Sequence, residues 1–527
     1  MWKQTTTRLK AGGSLRIMGV QWIALTEAPD QQFQPFTKEI NMVKKAAMFL
    51  LPAILGLSIS IMALLLSQAS SVQASSGIYY VAPGASCGGS VPNCYASVQA
   101  AVDAASPGDE IRVAAGVYND VHVRPRNDIT TTGIVTQSVY LTKSLTIRGG
   151  YNSDFSAWDP ETYATTLDAQ GQGRVLYITG EISPTIEGLG ITGGDDTGME
   201  GYGYAGTNDV GGGVYVLTAM VTLKNNQIFS NTSSFNGGGL FLGESTGILH
   251  GNTILNNHAK SGAGVFLYEG GPTLDSNTVL SNTSTNLGGG IYMFSSDALL
   301  KGNTISGNSA STIGGGLDVA SCSPTLSGNV LSGNSARKGA GIYLWYSRSV
   351  LTNNVIMDNL ASVDGEGSGL WIGGSEPLLL QTTLARNTGG DGSGVMVTDA
   401  GSTATTLVMT NTLLADHSIG ISVTAGSQVD MDGVLWFNTP VKVSQSGATV
   451  NVQHQYQGDP AFGADGYHLT AGSAAIDKGV PAGVLTDIDG QARFGSAPDL
   501  GADEYWPAGY PKYLYLPLSL KNTASLH

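Results

Sequence analysis

Charge is scarce in this chain. Asp, Glu, Lys and Arg make up 12% of its 527 residues, about half the roughly 25% usual for soluble domains. With 41% hydrophobic residues, the chain is too apolar and too weakly charged to be disordered. A coiled coil is excluded as well, because it needs Glu, Lys and Leu at heptad spacing. Proline is limited to 19 residues and glycine follows no three-residue period, which excludes collagen. Three cysteines are too few for a disulfide scaffold. No basic cluster follows residue 74, and residues 75–527 hold 18 Lys/Arg against 37 Asp/Glu, a net charge of −19. Without cations to neutralise phosphates, no nucleic-acid partner is expected. Glycine is what abounds, with 73 residues, about twice the usual share of roughly 7%. The expectation is a large, turn-rich all-β protein in which glycine has a structural use.

Residues 1–41 show no domain-like periodicity and read as a mis-assigned start or a disordered leader. Residues 42–74 read as a signal peptide. Lys44 and Lys45 form its positive region, Ala46 to Leu66 is an uncharged apolar run, and Val72-Gln73-Ala74 offers small residues for cleavage after Ala74. The competing reading is an uncleaved anchor, since the 21 apolar-leaning residues 46–66 are long enough to span a bilayer. Secretion or a bacterial cell-surface location is therefore expected, with membrane contact only through this signal or a C-terminal anchor. In an oxidising compartment Cys87 and Cys94, which bracket Gly-Gly-Ser-Val-Pro-Asn, are expected to pair. Cys322 is left over as a small buried hydrophobe.

The decisive pattern is a glycine pair or triplet followed by alternating apolar residues. Its last glycine falls at 213, 239, 264, 290, 316, 341, 369, 394 and 420, at intervals of 25–28 residues. A second phrase, Leu-x-x-Asn-x-Ile-x-x-Asn, runs at the same period, as in Leu249 to Asn257 and Leu300 to Asn308. Two short strands per unit, separated by polar turns and repeated at a fixed period, predict a parallel β-helix with one repeat per coil. Equivalent residues then stack about 4.8 Å apart. Asparagine at a corner tolerates left-handed backbone and forms side-chain ladders, and glycine serves the other corner. Apolar positions one and three after the glycine are expected to point inward.

These phrases resemble the right-handed β-helix repeats of the pectin-lyase-like superfamily and are similar to polymorphic outer membrane protein repeats. The resemblance spans roughly residues 78–454 and implies a single right-handed parallel β-helix, covering 119–454 in full coils. Residues 75–118 contain a short amphipathic segment with Val98, Ala101, Val102 and Ala105 on one face, which resembles an N-terminal capping helix. Further phrases follow in 455–505: Asp459-Pro-Ala-Phe, Gly472-Ser-Ala-Ala-Ile-Asp477, Asp487-Ile-Asp-Gly490 and Pro498-Asp-Leu-Gly-Ala-Asp-Glu-Tyr505. They resemble a choice-of-anchor Q domain. The tail, 506–527, contains an alternating run from Tyr513 to Leu520 that reads as an edge strand.

Stacking turns sequence columns into surfaces. Two residues after the last glycine lie Tyr215, Phe241, Phe266, Tyr292, Asp318, Tyr343, Trp371 and Met396, joined by Tyr268, Phe294 and Trp345. Alternation places this column outward. An exposed aromatic strip suits the apolar faces of sugar rings; the alternative is that the rings stack on one another or lie beneath a loop. Asp318 interrupts the strip, with Glu244 and Glu269 assigned to equivalent places. Carboxylates one coil apart raise one another's pKa or share Ca²⁺, as a glycosidase or lyase would use. The column Lys224, His250, Asp275, Lys301 offers a base and a cation for proton abstraction from an acidic sugar, or an ordinary charge ladder. Asp195, Asp196, Glu200 and Asp209, in the longest interruption of the repeat, are candidates for Ca²⁺, without the spacing of an EF-hand loop. Asp487-Ile-Asp489-Gly is open to the same Ca²⁺ reading or to that of a turn. Two functions follow: a non-catalytic exported protein that binds polysaccharide or cell-surface matrix, or a polysaccharide lyase or glycoside hydrolase on the same scaffold.

Overall fold

Alternating apolar residues after each glycine build strands, and the fixed period pairs each strand with its copy in the next coil. The computed structural model describes residues 76–507 apart from 89–90, 127–132, 200, 204–205 and 402. The expected leader, signal peptide and Tyr513–Leu520 strand lie outside the described residues. The fold is a right-handed parallel β-solenoid of about 10 turns with almost no helix.

One sheet carries the glycine-led strands, among them Val214–Leu217, Leu240–Ser245, Val265–Gly270, Ile291–Phe294, Leu317–Ala320, Ile342–Trp345 and Leu370–Gly373. Their pairing is parallel and in register, Val214 with Leu240, then Val265, Ile291, Leu317, Ile342 and Leu370. A second, larger sheet holds the two strand columns of the asparagine phrase, which merge into the long strands Thr406–Ala415 and Gln428–Phe437. A third, short sheet runs from His258–Ser261 to Thr388–Gly389. Inside, Val214, Val216, Leu240 and Leu242 join Leu223, Ile228, Leu249 and Ile254 in one continuous core. The inward positions are as the alternation predicts.

The corners depart from expectation in one respect. The ladder asparagines do not adopt left-handed backbone; the residue before each does, as at Asn256 (φ 53°), Ser281 (φ 55°) and Gly307 (φ 62°). That conformation turns the following asparagine inward, where Asn257, Asn282 and Asn308 are 1% exposed or less. Each then bonds its counterpart in the next coil. The glycines likewise divide their work. Gly237 has a φ of +68°, whereas the last glycine of that triplet, Gly239, is needed for space: a Cβ there would sit 2.7 Å from the Gly264 carbonyl oxygen and 2.8 Å from Asn257 Nδ2.

At the N-terminal end a helix, Val98–Ala104, starts where Ser97 Oγ accepts a bond from Ala100 N–H. It buries Val98, Ala101 and Val102. Gln99 fastens it to the strand Ile134–Leu141 by exchanging bonds with the backbone of Tyr140. Cys87 and Cys94 are disulfide-bonded, and Cys322 is buried, which pushes its thiol up to about 12.

After the last strand, Thr449–Gln457, the chain doubles back along the flank of the solenoid. Leu469, Ala475 and Leu500 pack on Ala385, Leu413, Ala415 and Leu435. Polar bonds tie this wrap to several earlier coils: Arg493 Nη2 donates to Asn353 Oδ1 (2.9 Å), Ala502 N–H to Thr383 Oγ1 (3.0 Å), and Val480 N–H to Asn411 Oδ1 (2.7 Å).

Candidate functional site

The outward column forms as alternation requires, but it is not an exposed strip. Tyr215 and Phe241 are fully buried, Phe266 is 1% exposed and Trp371 4%. Tyr268 and Tyr343 are also buried, while Tyr292, Phe294, Trp345 and Met396 are half-buried. The rings cover one another. Centroids of Tyr177 and Tyr215 lie 4.5 Å apart, Tyr215 and Phe241 5.3 Å, Phe266 and Tyr292 5.0 Å. Val135 and Val210 close over them, and the Arg174 guanidinium lies 5.3 Å from the Tyr215 ring. Farther along, Tyr343 stacks on Trp371 at 4.5 Å, with Trp345 at 5.9 Å from Trp371. Trp371 Nε1 donates to Glu366, which also pairs with Lys338. The column is a second apolar core outside the first.

Asp318 sits in this column, in register between Tyr292 and Tyr343. It is 1% exposed and neither carboxylate oxygen has a hydrogen-bond partner. Burial pushes its carboxyl well above the usual range. Glu244 and Glu269 are not its equivalents. They stand three places further along their strands, both in left-handed conformation and half-buried at the following corner. The three carboxylates therefore form no shared site.

Lys224, His250, Asp275 and Lys301 do stack in one register. Of these, Lys224, His250 and Asp275 pair with each other or with the coil before them. Lys224 Nζ meets Glu187 at 3.0 Å, Arg148 meets the same Glu187 at 2.9 Å and Glu110 at 3.3 Å, and His250 Nδ1 meets Asp275 at 2.9 Å. Lys301 is exposed. The arrangement is a ladder of opposite charges along the flank.

In the long interruption the carboxylates hold the turn at Thr197 and Gly198 and tie it to Ser234, whose N–H donates to Asp196 Oδ1. Asp195 Oδ1 accepts from the Thr197 N–H and hydroxyl. Asp209 Oδ2 accepts from Gly198 N–H and Ser234 Oγ. Asp196 is fully buried, and burial pushes it up to about 7 against the pull of Arg174. Glu200 lies outside the described residues. Among the described residues these groups do not converge on a point that could hold Ca²⁺.

A groove that repeat reasoning missed lies at the early coils. Residues 152–164 separate the strands Thr146–Tyr151 and Thr165–Asp168, where the next coil needs only residues 188–189 between Thr185–Glu187 and Gly190–Thr192. The insertion opens with a turn closed by Asn152, whose Oδ1 accepts from Ala157 N–H. Pro160 packs on Gly150 and Gly188, where a Cβ would come within 2.7 and 2.9 Å. This raises a wall beside the coil faces and encloses a volume of about 520 Å³. Gln227, Thr253, Thr166 and Asn225 line it, with Glu161 in the wall. Trp158 stands at its edge, 44% exposed. Its ring is held by Nε1 donating to the Gly149 carbonyl at 2.8 Å and by the Arg148 guanidinium at 5.6 Å. Asp159, also lining the groove, is held below the usual carboxylate range by the Thr162 hydroxyl, so it is ionised and unsuited to act as an acid. The sequence signal was available: a tryptophan inside an insertion that breaks the coil period.

No curated protein matches the chain. Among solved structures, a pectate lyase, Pel9A, is 14% identical with a TM-score of 0.39, covering 82% of this chain and 97% of its own. The A-module of the Azotobacter vinelandii mannuronan C-5 epimerase AlgE6 is 13% identical with a TM-score of 0.27, covering 69% of this chain and 94% of its own. Residues 176–356 match the family model described as a right-handed beta helix region.

Proposed function

We propose that the protein is an exported β-helix, secreted or held at the cell surface, that binds a neutral polysaccharide without transforming it. The observation that carries this reading is the Trp158 groove. A fixed, half-open indole beside a concave floor of amide and hydroxyl side chains suits a sugar ring, which stacks its apolar face and hydrogen-bonds its rim. A net charge of −19 over residues 75–527 repels polyanions, which favours a neutral glycan. Export rests on the signal-like residues 42–74, and attachment on the anchor-like phrases of 459–505. The non-catalytic reading rests on the candidate acids and bases: Asp318 is buried away from Glu244 and Glu269, and Lys224, His250 and Asp275 are paired along the ladder.

A panel of neutral and acidic polysaccharides tested against purified protein decides the matter. Trp158→Ala should weaken binding at least about tenfold, equivalent to about 1.4 kcal/mol. Tyr346→Ala, which removes another exposed ring, should leave it unchanged. Equal affinity in wild type and Trp158→Ala would remove the groove from the reading. New reducing ends or unsaturated sugar ends in the product would replace it with the lyase or hydrolase alternative.

A further inference from the structure

The wrap that follows the last coil brings three of its turns together at one histidine. Asp465 caps the first turn, its Oδ1 accepting from the N–H groups of Tyr467 and His468 at 3.2 Å each. Its Oδ2 bonds His468 Nδ1. The imidazole is thereby oriented, and its Nε2 faces two more carboxylates from the other turns: Asp489 Oδ2 at 2.9 Å and Asp503 Oδ1 at 4.0 Å. Asp503 is 5% exposed, and its Oδ2 is committed to Leu469 N–H at 2.6 Å. Its Oδ1 therefore looks toward His468.

A further buried group adjoins them. Asp487 is 3% exposed; its Oδ1 accepts from Asp489 and Gln491 N–H, and its Oδ2 is buried with no hydrogen-bond partner. Both Asp487 and Asp489 act electrostatically on Asp503. Four carboxylates and one imidazole thus crowd a corner of the wrap, and one donor atom each from His468, Asp489 and Asp503 lies within 4.8 Å of the other two. That spacing lets all three reach one ion at metal–ligand distances of about 2.0–2.4 Å.

We propose that His468 Nε2, Asp489 and Asp503 bind a divalent cation, Zn²⁺ in preference to Ca²⁺, and that the ion clamps three turns of the C-terminal wrap together. The preference follows from the donors. An imidazole suits borderline metals such as Zn²⁺, whereas Ca²⁺ selects oxygen alone. Asp465 holds the second ring nitrogen, the carboxylate–histidine relay that commonly orients a metal-bound imidazole. Asp487 holds the backbone of the ligand Asp489, accepting its N–H. The site is independent of the Trp158 groove, which lies on early coils.

Isothermal titration of chelator-treated protein with ZnCl₂, MnCl₂ and CaCl₂ tests the assignment. One Zn²⁺ per chain is expected, bound at least tenfold more tightly than Ca²⁺. His468→Gln and Asp489→Asn, both at partly exposed positions, should each weaken Zn²⁺ at least tenfold. His250→Gln and His454→Gln, which alter the other His–Asp pairs, should not. Hydrogen exchange should slow on Zn²⁺ addition within residues 461–504 and in the late coils bonded to them, and stay unchanged in the early coils. Absence of Zn²⁺ binding, binding that survives His468→Gln, loss of binding in His250→Gln, or a preference for Ca²⁺ would each overturn the site.

Discussion

The side-chain oxygen of Asn308 accepts two hydrogen bonds from Asn282, one from its backbone N–H at 3.0 Å and one from its side-chain amide at 2.9 Å. Asn308 passes the pattern on, donating from Nδ2 to Asn334 Oδ1 at 3.0 Å and to the Val279 carbonyl at 2.9 Å. Every polar atom of the amide is used in a dry interior. Asn308→Ala would strand both donors of Asn282 and remove a donor from Val279 and Asn334. An unsatisfied buried group costs about 1–3 kcal/mol, so the variant should lose about 3–5 kcal/mol. Urea unfolding with an unchanged slope would measure it, and a loss below about 1 kcal/mol would contradict the ladder's role.

Asp318 presents the opposite case, a polar group that the column would be better without. Its neighbours in register, Tyr292 and Tyr343, flank it with rings, and its oxygens bond nothing. Removing an uncompensated buried polar group recovers about 1–3 kcal/mol. Asp318→Phe should therefore raise stability by roughly that amount and join the two ring stacks. Denaturant midpoints of the variant and wild type decide it; a lower midpoint would show that Asp318 has a partner or purpose beyond packing.

Asp196 should make stability fall as the solution turns from acid to neutral. Its folded pKa, raised to about 7 by burial, lies above the unfolded value of about 3.9. Between these values the native chain keeps a proton that the unfolded chain has released, so the contribution is full below pH of about 4 and lost as pH rises through about 7. His417 acts in the other direction. Burial lowers it to about 4, so its contribution is full above about 6.5 and lost as pH falls through about 4. Asp196→Asn should make the decline between pH 5 and 7 shallower in a series of urea unfolding curves, with Asp499, Asp503 and Glu504, also raised by burial, supplying the rest, and leave the acid limb in place. An unchanged decline would assign it to other carboxyls.

The architecture was legible because it is written many times over. Gly213 to Gly420 and the two asparagine columns state the period, and alternation alone places Val214 and Val216 inside. The exposure of the next column was not legible. Alternation says only that Tyr215 and Phe241 leave the first core; their cover comes from Val135, Val210 and Arg174, which lie outside the glycine phrase that states the period. Grouping Asp318 with Glu244 and Glu269 failed for a related reason, since three places along a strand change both the face and the corner. Lys224 to Lys301 stacked as read, because one column in one register needs no information from elsewhere. Trp158 and His468 depend on a single insertion and a single wrap, where nothing repeats to reveal the contacts.

A solenoid whose coils touch only their neighbours loses its ends first, one coil at a time. The C-terminal wrap changes that order. Its bonds to Asn353, Thr383 and Asn411 reach three successive coils that precede the last strands, so the terminal coil cannot peel away while the wrap stays seated. Fraying at this end must therefore begin with the wrap or not at all, and the last several coils open as one block. A chain built for gradual unravelling acquires an all-or-none end.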